Sequence, residues 1–149
     1  MRAVVQRVSQ ASVEVDGAVV GEIGRGLLVY LGVGVHDSVR DAEWMAGKIA
    51  HLRIFEDPEG RMNLSVLDLG GAALVISQFT LYADARKGRR PSYAAAAEPQ
   101  AANTLYQATV DQLRSSLRRV ETGVFQAEMR VSAVNEGPVN ILLDSGGLF

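Results

Sequence analysis

The sequence predicts a single α/β domain in which a mixed, mostly antiparallel β-sheet or barrel packs against about two helices. Strand-like patterns fill the first third of the chain, two later segments have helical patterns, and no linker or repeat divides the 149 residues. Fifteen glycines and four prolines add tight turns, which are more typical of strands than of a helical bundle. We therefore expect one domain over residues 1–149.

The first third of the chain is expected to form β-strands. Residues 12–15 alternate between polar and apolar side chains, as a half-buried strand does. Asp16-Gly17 is a strong hairpin-turn signal, so 19–23 is the expected return strand. Residues 27–33 are apolar throughout, which predicts a central strand buried on both faces.

Two helices are expected. Ser38 and Asp41 have capping-box spacing, which predicts a helix over about residues 38–52. Pro99 suits the first turn of a second helix. The residues expected near one face of that helix are Leu105, Ala108, Gln112, Leu113 and Leu117.

The rest of the chain is interpreted as further strands and loops. Residues 72–81 return to a strand pattern with a polar end, and a polar loop follows over 83–93. Residues 124–143 are interpreted as two strands joined by a turn at 135–138.

Composition excludes several classes of protein. With no cysteine and only two histidines, His36 and His51, we expect no disulfide, no thiolate nucleophile, no metal site and no cofactor. The net charge of −2 excludes a global basic field for nucleic acid. The longest apolar stretch, 26–35, is ten residues, where a membrane helix needs roughly 18. We therefore expect a cytoplasmic protein with no membrane segment.

The first candidate functional segment is the polar end of the strand over 72–81. Its residues are Ser77, Gln78, Phe79 and Thr80. Strand ends place free backbone N–H groups at a cleft, which suits stabilisation of an oxyanion. On the residues alone, a strand that merely emerges into solvent is the simpler explanation.

The second candidate is a cluster of four cations on a glycine-containing loop. They are Arg86, Lys87, Arg89 and Arg90. In an acidic chain this cluster suits phosphate groups. An ordinary solvated loop explains it equally well.

The third candidate is a turn over residues 135–140 that contains the Gly137-Pro138 bond. Only about 5–6% of X-Pro bonds in folded proteins are cis, so the base rate favours a trans bond.

Segments spread along the whole chain resemble the D-aminoacyl-tRNA deacylases. In order, they are MRAVVQRV, GLLVYLGV, LRIFED, SQFTLYAD, RKGRRPS and NEGPVN. The resemblance implies an editing hydrolase that cleaves the ester of D-aminoacyl-tRNA and rejects L-aminoacyl esters. It also implies a homodimer with active sites at the interface, and a partner in the aminoacylated 3′ end of tRNA.

The resemblance further implies roles for named residues. Gly137-Pro138, with a cis bond, would enter the partner's active site as a chiral filter, and Arg7 would brace it. L side chains would collide with the filter's carbonyls. Glycine has no side chain, so we expect some activity on glycyl-tRNA mischarged on tRNA(Ala).

Other family positions imply the pocket itself. Residues 77–80 would line it, and the backbone N–H groups near Phe79 and Thr80 would polarise the ester carbonyl. The attack would come from water, assisted by the 2′-hydroxyl of the terminal ribose. Phe125 and Met129 would contact the terminal adenine. The cations of residues 86–90 would meet acceptor-stem phosphates.

Three residues depart from the family's common pattern. Glu136 stands where Asp is common, Asn140 where Thr is common, and Gln126 where Gly is common. We expect altered hydrogen bonding at the filter and a narrower adenine pocket. The alternative function is a homodimer that binds nucleic acid and catalyses no reaction. It would bind through the loop that carries the cations of residues 86–90, which we call the basic loop.

Overall fold

The computed structural model describes residues 1–148, which form one large curved sheet, a small two-stranded sheet and two α-helices. The elements in chain order are β1 (Arg2–Val15), β2 (Ala18–Ile23), β3 (Gly26–Gly32), α1 (Val39–His51), β4 (Phe55–Glu56), β5 (Met62–Leu64), β6 (Ala72–Ser77), a 3₁₀ turn (Phe79–Tyr82), α2 (Pro99–Ser116), β7 (Arg119–Thr122) and β8 (Arg130–Asp144).

The main sheet is mixed and nearly closed into a barrel. Its strand order is β2-β1-β3-β6-β7, with β8 paired to the other side of β1. Strand β1 pairs antiparallel with β2, β3 and β8, whereas β3–β6 and β6–β7 are parallel. The predicted α/β fold with a mixed, mostly antiparallel sheet and two helices is confirmed.

Two hydrophobic clusters hold this arrangement together. The larger one joins the helices to the sheet, and Met45 and Ile49 of α1 meet Leu113 of α2 within it. The smaller one lies within the curve of the sheet and includes Val8 and Leu28. Strand β3 contributes to both clusters because its side chains are buried on both faces, as predicted.

The helix signals are confirmed in both helices. Ser38 is the N-cap of α1, and its backbone N–H and hydroxyl both donate to the Asp41 carboxylate. Pro99 lies in the first turn of α2. Leu105 and Leu113 of α2 are buried as expected, with Tyr106, Thr109 and Val110 beside them. The expectation for Gln112 is wrong, because this side chain is exposed.

Two expectations for strands are wrong. Strand β6 ends at Ser77, and the next residues turn into the 3₁₀ turn instead of extending to Leu81. Residues 124–129 are not a strand; they form an irregular segment between β7 and β8. In the second segment Phe125 and Met129 pack against the core without pairing in the sheet, so their pattern imitates a strand.

The expected turn at 135–138 is instead a large bulge within the single strand β8. Gln6 of β1 pairs with Asn140 and Val8 pairs with Asn135, so Arg7 alone faces residues 136–139. The chain keeps its direction through the bulge. The Gly137-Pro138 bond is cis, which overturns the base-rate expectation of a trans bond.

Candidate active site

An open cleft lies where β6 ends, beside the start of α2 and the irregular segment after β7. Its volume is about 660 Å³. It brings together six of the residues singled out from the sequence, which are Ser77, Gln78, Phe79, Phe125, Gln126 and Met129. Thr80, the remaining residue of the strand-end segment, does not line the cleft. The cleft therefore unites the strand-end segment with the expected adenine pocket.

The path of the chain after β6 determines which backbone N–H groups are free beside the cleft. The Gln78 N–H donates to the Leu31 carbonyl oxygen over 2.8 Å, which extends the parallel pairing by one residue. The chain then tightens into the 3₁₀ turn. Among the residues that the structure describes, the backbone N–H groups of Phe79 and Thr80 have no hydrogen-bond acceptor. Two adjacent amides are thus available beside the cleft.

Thr80 is exposed and is bonded within its own segment. Its hydroxyl oxygen accepts a hydrogen bond from the Gln78 side-chain amide. An amide N–H cannot take up a proton, so this contact does not activate the hydroxyl as a nucleophile. Neither His36 nor His51 lines the cleft, and His51 instead contacts the Gly47 carbonyl at the end of α1.

The part of the cleft wall formed by the segment after β7 is mostly apolar. The Phe125 ring packs 6.1 Å from the ring of Tyr106, whose hydroxyl donates to the Val75 carbonyl oxygen. Burial raises the pKa of the Tyr106 phenol, which therefore stays protonated. Gln126 follows with φ of +64°, a left-handed conformation that favours glycine. Gln126 lies on the cleft wall.

Sequence reasoning missed the side of the cleft before α2. Residues 94–97 contain only alanine, so no side chain there marked a functional site. They run beside the end of β3, where the Ala97 N–H donates to the Val33 carbonyl oxygen. Tyr93 precedes them and meets the half-exposed Phe79 ring edge to face at 5.1 Å. Small residues after an aromatic residue are the only signal that marked this wall in advance.

The bulge in β8 lies outside the cleft of its own chain. Gly137 and Pro138 are exposed and do not line the cleft. Arg7 is buried behind them, where its Nε donates to the Glu136 carbonyl oxygen over 3.3 Å and its Nη1 to the Ile54 carbonyl oxygen over 2.7 Å. One arginine therefore ties the bulge to the body of the domain.

Asparagine side chains further order the bulge. The Val139 N–H donates to Asn135 Oδ1 over 3.2 Å. Asn140 Oδ1 accepts hydrogen bonds from the side-chain amides of Gln6 and Asn135, at 2.8 and 2.6 Å. Asn140, one of the departures from the family pattern, is thus part of the network that closes the base of the bulge.

Backbone hydrogen bonds close the base of the basic loop, and one of its four cationic side chains is bonded within the loop. Asp84 and Ser92 exchange two backbone hydrogen bonds. The Asp84 carboxylate accepts from Arg86 Nε and Nη2 at 2.9 and 2.6 Å, which lowers the pKa of Asp84 and raises that of Arg86. Arg86 therefore orders the loop. Lys87, Arg89 and Arg90 are exposed and form no ion pair within residues 1–148.

Within residues 1–148, no group of three or more His, Cys, Asp or Glu side chains is placed to hold a metal ion. No helix in the same range is both long enough and apolar enough to cross a membrane.

The chain matches known proteins both in sequence and in fold. The model of a family described as D-Tyr-tRNA(Tyr) deacylase matches residues 4–144. The chain therefore belongs to the D-Tyr-tRNA(Tyr) deacylase family. It is 62% identical to the D-aminoacyl-tRNA deacylase of Anaeromyxobacter dehalogenans (strain 2CP-C) over the full length of both. It is 57% identical, again over both full lengths, to that of Thermotoga petrophila.

Solved structures show the same fold. The c-Myc DNA Unwinding Element Binding Protein superposes with a TM-score of 0.93 and 41% identity, covering 97% of this chain and 99% of that one. A probable eukaryotic D-amino acid tRNA deacylase gives a TM-score of 0.82 at 20% identity, covering 95% and 97%. The enzyme predicted from the sequence, a D-aminoacyl-tRNA deacylase, is confirmed by the family and its relatives.

Proposed function

We propose that this chain acts in the cytoplasm as a homodimeric editing enzyme, which hydrolyses the ester of D-aminoacyl-tRNA and spares the L-aminoacyl ester. The observation that carries the proposal is the pair of free amides at Phe79 and Thr80 beside an apolar cleft. Two adjacent N–H groups suit the negative charge that develops on an ester carbonyl oxygen. The products are free D-amino acid and tRNA.

The nucleophile in this proposal is water. It attacks the ester carbonyl, and the carbonyl oxygen takes its charge toward the amides of Phe79 and Thr80. The 2′-hydroxyl of the terminal ribose assists proton transfer, since no histidine lines the cleft. The Thr80 hydroxyl is bonded only to the Gln78 amide and does not form an acyl-enzyme.

The terminal adenine occupies the apolar wall. Phe125 and Met129 offer a ring and a polarizable thioether, both suited to the face of a base. Gln126 narrows the entrance and places an amide beside the base.

The chiral filter comes from the partner subunit. Gly137 and Pro138 lie on an exposed bulge that does not reach the cleft of their own chain. Val134 and Leu142, on either side of the bulge, are 47% and 57% exposed and offer an apolar surface for a second copy. Arg7 fixes the bulge through the Glu136 carbonyl oxygen, so the backbone of Gly137 and Pro138 stands close to the substrate Cα and excludes an L side chain. Glycine is not excluded, so glycyl-tRNA mischarged on tRNA(Ala) is cleaved as well.

The basic loop holds the acceptor stem. Lys87, Arg89 and Arg90 are the free cations for phosphates, and such contacts carry no sequence information. This suits an enzyme that acts on many tRNAs. Arg86, singled out with them, contributes mainly through its pair with Asp84.

The proposal is tested by measuring tRNA binding and amino acid release on one preparation with D-tyrosyl-tRNA. Release of D-tyrosine supports the enzyme, and binding without release contradicts it.

Active sites shared between two subunits are tested by mixing Gly137→Ala subunits with Phe125→Ala subunits. Mixed dimers regain one complete site, so random mixing restores roughly a quarter of wild-type activity. No recovery would contradict a filter supplied by the partner.

A second candidate function is binding of nucleic acid without chemistry. It is favoured by the name of a relative at 41% identity, the c-Myc DNA Unwinding Element Binding Protein. Retained binding of DNA or tRNA by a preparation that releases no amino acid would support it.

A further inference from the structure

The 3₁₀ turn is seated on the end of β3, at two positions where only glycine fits. A Cβ at Gly32 would lie 2.9 Å from the Gln78 carbonyl oxygen and 3.1 Å from the Leu81 Cβ. A Cβ at Gly34 would lie 2.6–2.8 Å from three atoms of the Tyr82 ring and hydroxyl. Real side chains do not approach so closely, so both glycines allow the turn to pack directly on the β3 backbone.

Tyr82, the last residue of the turn, is held from two sides. Its hydroxyl donates to Asp37 Oδ2 over 3.0 Å, and the same oxygen accepts the Gly34 N–H at 2.6 Å. The Arg2 guanidinium stacks 4.5 Å from the centre of the Tyr82 ring. Its Nη1 also donates to the Leu81 carbonyl oxygen over 3.1 Å. The turn is thus tied to β3 and to the start of β1.

We propose that Tyr82 is a positioning residue, which fixes the 3₁₀ turn on Gly32 and Gly34 so that the Phe79 and Thr80 amides keep the geometry needed for ester hydrolysis. This role rests on the proposed function of those amides. Tyr82 does not line the cleft, so it touches neither the adenine nor the amino acid. Its effect passes through a single turn of backbone, two residues from Thr80.

The position of Tyr82 predicts an effect on the chemical step and not on binding. Oxyanion stabilisation depends on donor geometry to within a few tenths of an ångström. The expected adenine contacts, Phe125 and Met129, lie on the segment after β7 and not on the 3₁₀ turn. Loss of the Tyr82 hydroxyl removes the bond to Asp37 but leaves the ring under Arg2. The 3₁₀ turn then shifts relative to Gly32 and Gly34, while Phe125 and Met129 stay in place.

The test uses single-turnover and steady-state hydrolysis of D-tyrosyl-tRNA by Tyr82→Phe. We expect kcat to fall about tenfold with KM changed less than about twofold. Ser65→Ala is the matched control, because it removes another hydroxyl-to-carboxylate bond, to Asp68, outside the 3₁₀ turn. It should leave kcat unchanged. A lower melting temperature in Tyr82→Phe with full kcat would mean a merely structural role and would overturn the proposal.

A second pair of variants tests the seat itself. Gly34→Ala should reduce kcat more than Tyr82→Phe does, because its Cβ collides with the ring. In a Tyr82→Ala background the ring is absent, so Gly34→Ala should cost little further kcat. If the kcat losses of Gly34→Ala and Tyr82→Ala were additive, Gly34 would not act through its contact with the Tyr82 ring. If wild-type protein releases no D-tyrosine, the proposed function fails first; if it does and the variants match it, only the positioning role fails.

Discussion

Arg7 Nε donates to the main-chain carbonyl oxygen of Glu136 across the β1–β8 pair, at 3.3 Å. The Arg7 side chain is 9% exposed, and both of its hydrogen bonds go to main-chain carbonyls. Within residues 1–148 no carboxylate pairs with it. A buried cation used in this way fixes backbone position, and the backbone it fixes carries Gly137 and Pro138.

Arg7→Lys should loosen the bulge, because a lysine cannot present the fork that spans two carbonyls. We expect a tenfold or greater loss of D-tyrosyl-tRNA hydrolysis, on the order expected for misplaced contact groups, and a loss of about 1–3 kcal/mol in unfolding free energy. Rates and urea denaturation measure the two effects. Arg119→Lys, which also loses a guanidinium bond to a main-chain carbonyl, at Glu22, is the control. Equal behaviour of the two variants would exclude a special role for Arg7.

Gly137→Ala should impair hydrolysis more than it impairs folding. Gly137 has φ of +115°, and an added Cβ would lie 2.8 Å from Val139 Cγ2 and 3.0 Å from Arg7 Nη2. The new methyl group therefore pushes the bulge away from the Arg7 side chain that holds it. Gly60→Ala provides the control, since Gly60 also has a positive φ of +76° but has open space around its Cβ position. Wild-type rates and D/L ratio in Gly137→Ala would contradict the proposed filter.

Thr80→Ala should keep substantial activity, because the Thr80 hydroxyl contacts only the Gln78 amide and no base activates it. The backbone amide that we propose for catalysis remains in this variant. Rapid quenching of wild-type protein with D-tyrosyl-tRNA, followed by mass spectrometry, should reveal no acylated Thr80. An acyl-Thr80 adduct, or complete loss of activity in the variant, would establish a covalent mechanism instead.

Neutralising Lys87, Arg89 and Arg90 together should weaken tRNA binding in a salt-dependent manner. Each lost phosphate contact reduces the slope of log K against log salt by about 0.9, so the slope should fall by about 2–3. Arg86→Gln should change the slope less, because Asp84 already pairs with Arg86. Filter binding from low to moderate salt measures both. An unchanged slope in the triple variant would place the tRNA elsewhere.

Asp41 should contribute to stability in a pH-dependent manner. Hydrogen bonds from the Ser145 hydroxyl and from Ser38 lower the pKa of Asp41 to about 2, below its ordinary value of about 3.9. Its contribution is therefore complete above about pH 4 and is lost as the pH falls toward 2. Asp41→Asn should lose about 1–2 kcal/mol near neutral pH and should show a weaker acid dependence. Urea denaturation from pH 7 to pH 2 measures this, with Asp111→Asn, on the exposed face of α2, as the control.

The regular elements could be predicted because their signals are local. The Asp16-Gly17 turn, the Ser38–Asp41 cap and Pro99 each specify backbone within a few residues. The 3₁₀ turn and the bulge could not be predicted in this way. The first depends on distant glycines at the end of β3, and the second on Arg7 in another strand.

In the candidate site, too, only the features with a local sequence signal could be predicted. The polar end of β6 was recognisable as a pattern, but its role followed only from the family resemblance. Tyr93 and the alanines after it were missed, because their segment reaches the cleft through backbone hydrogen bonds to residues 33–35, after β3, and carries no chemical signature of its own. A filter supplied by a second subunit leaves no pattern in one sequence beyond a Gly-Pro pair that resembles an ordinary turn.

The most direct test of the account is the rate of amino acid release from D-tyrosyl-tRNA and from L-tyrosyl-tRNA, measured side by side with purified wild-type protein. We expect rapid hydrolysis of the D ester while the L ester stays intact over the same interval. Equal cleavage of both esters would contradict the chiral filter, and cleavage of neither ester, with tRNA still bound, would contradict the enzyme itself.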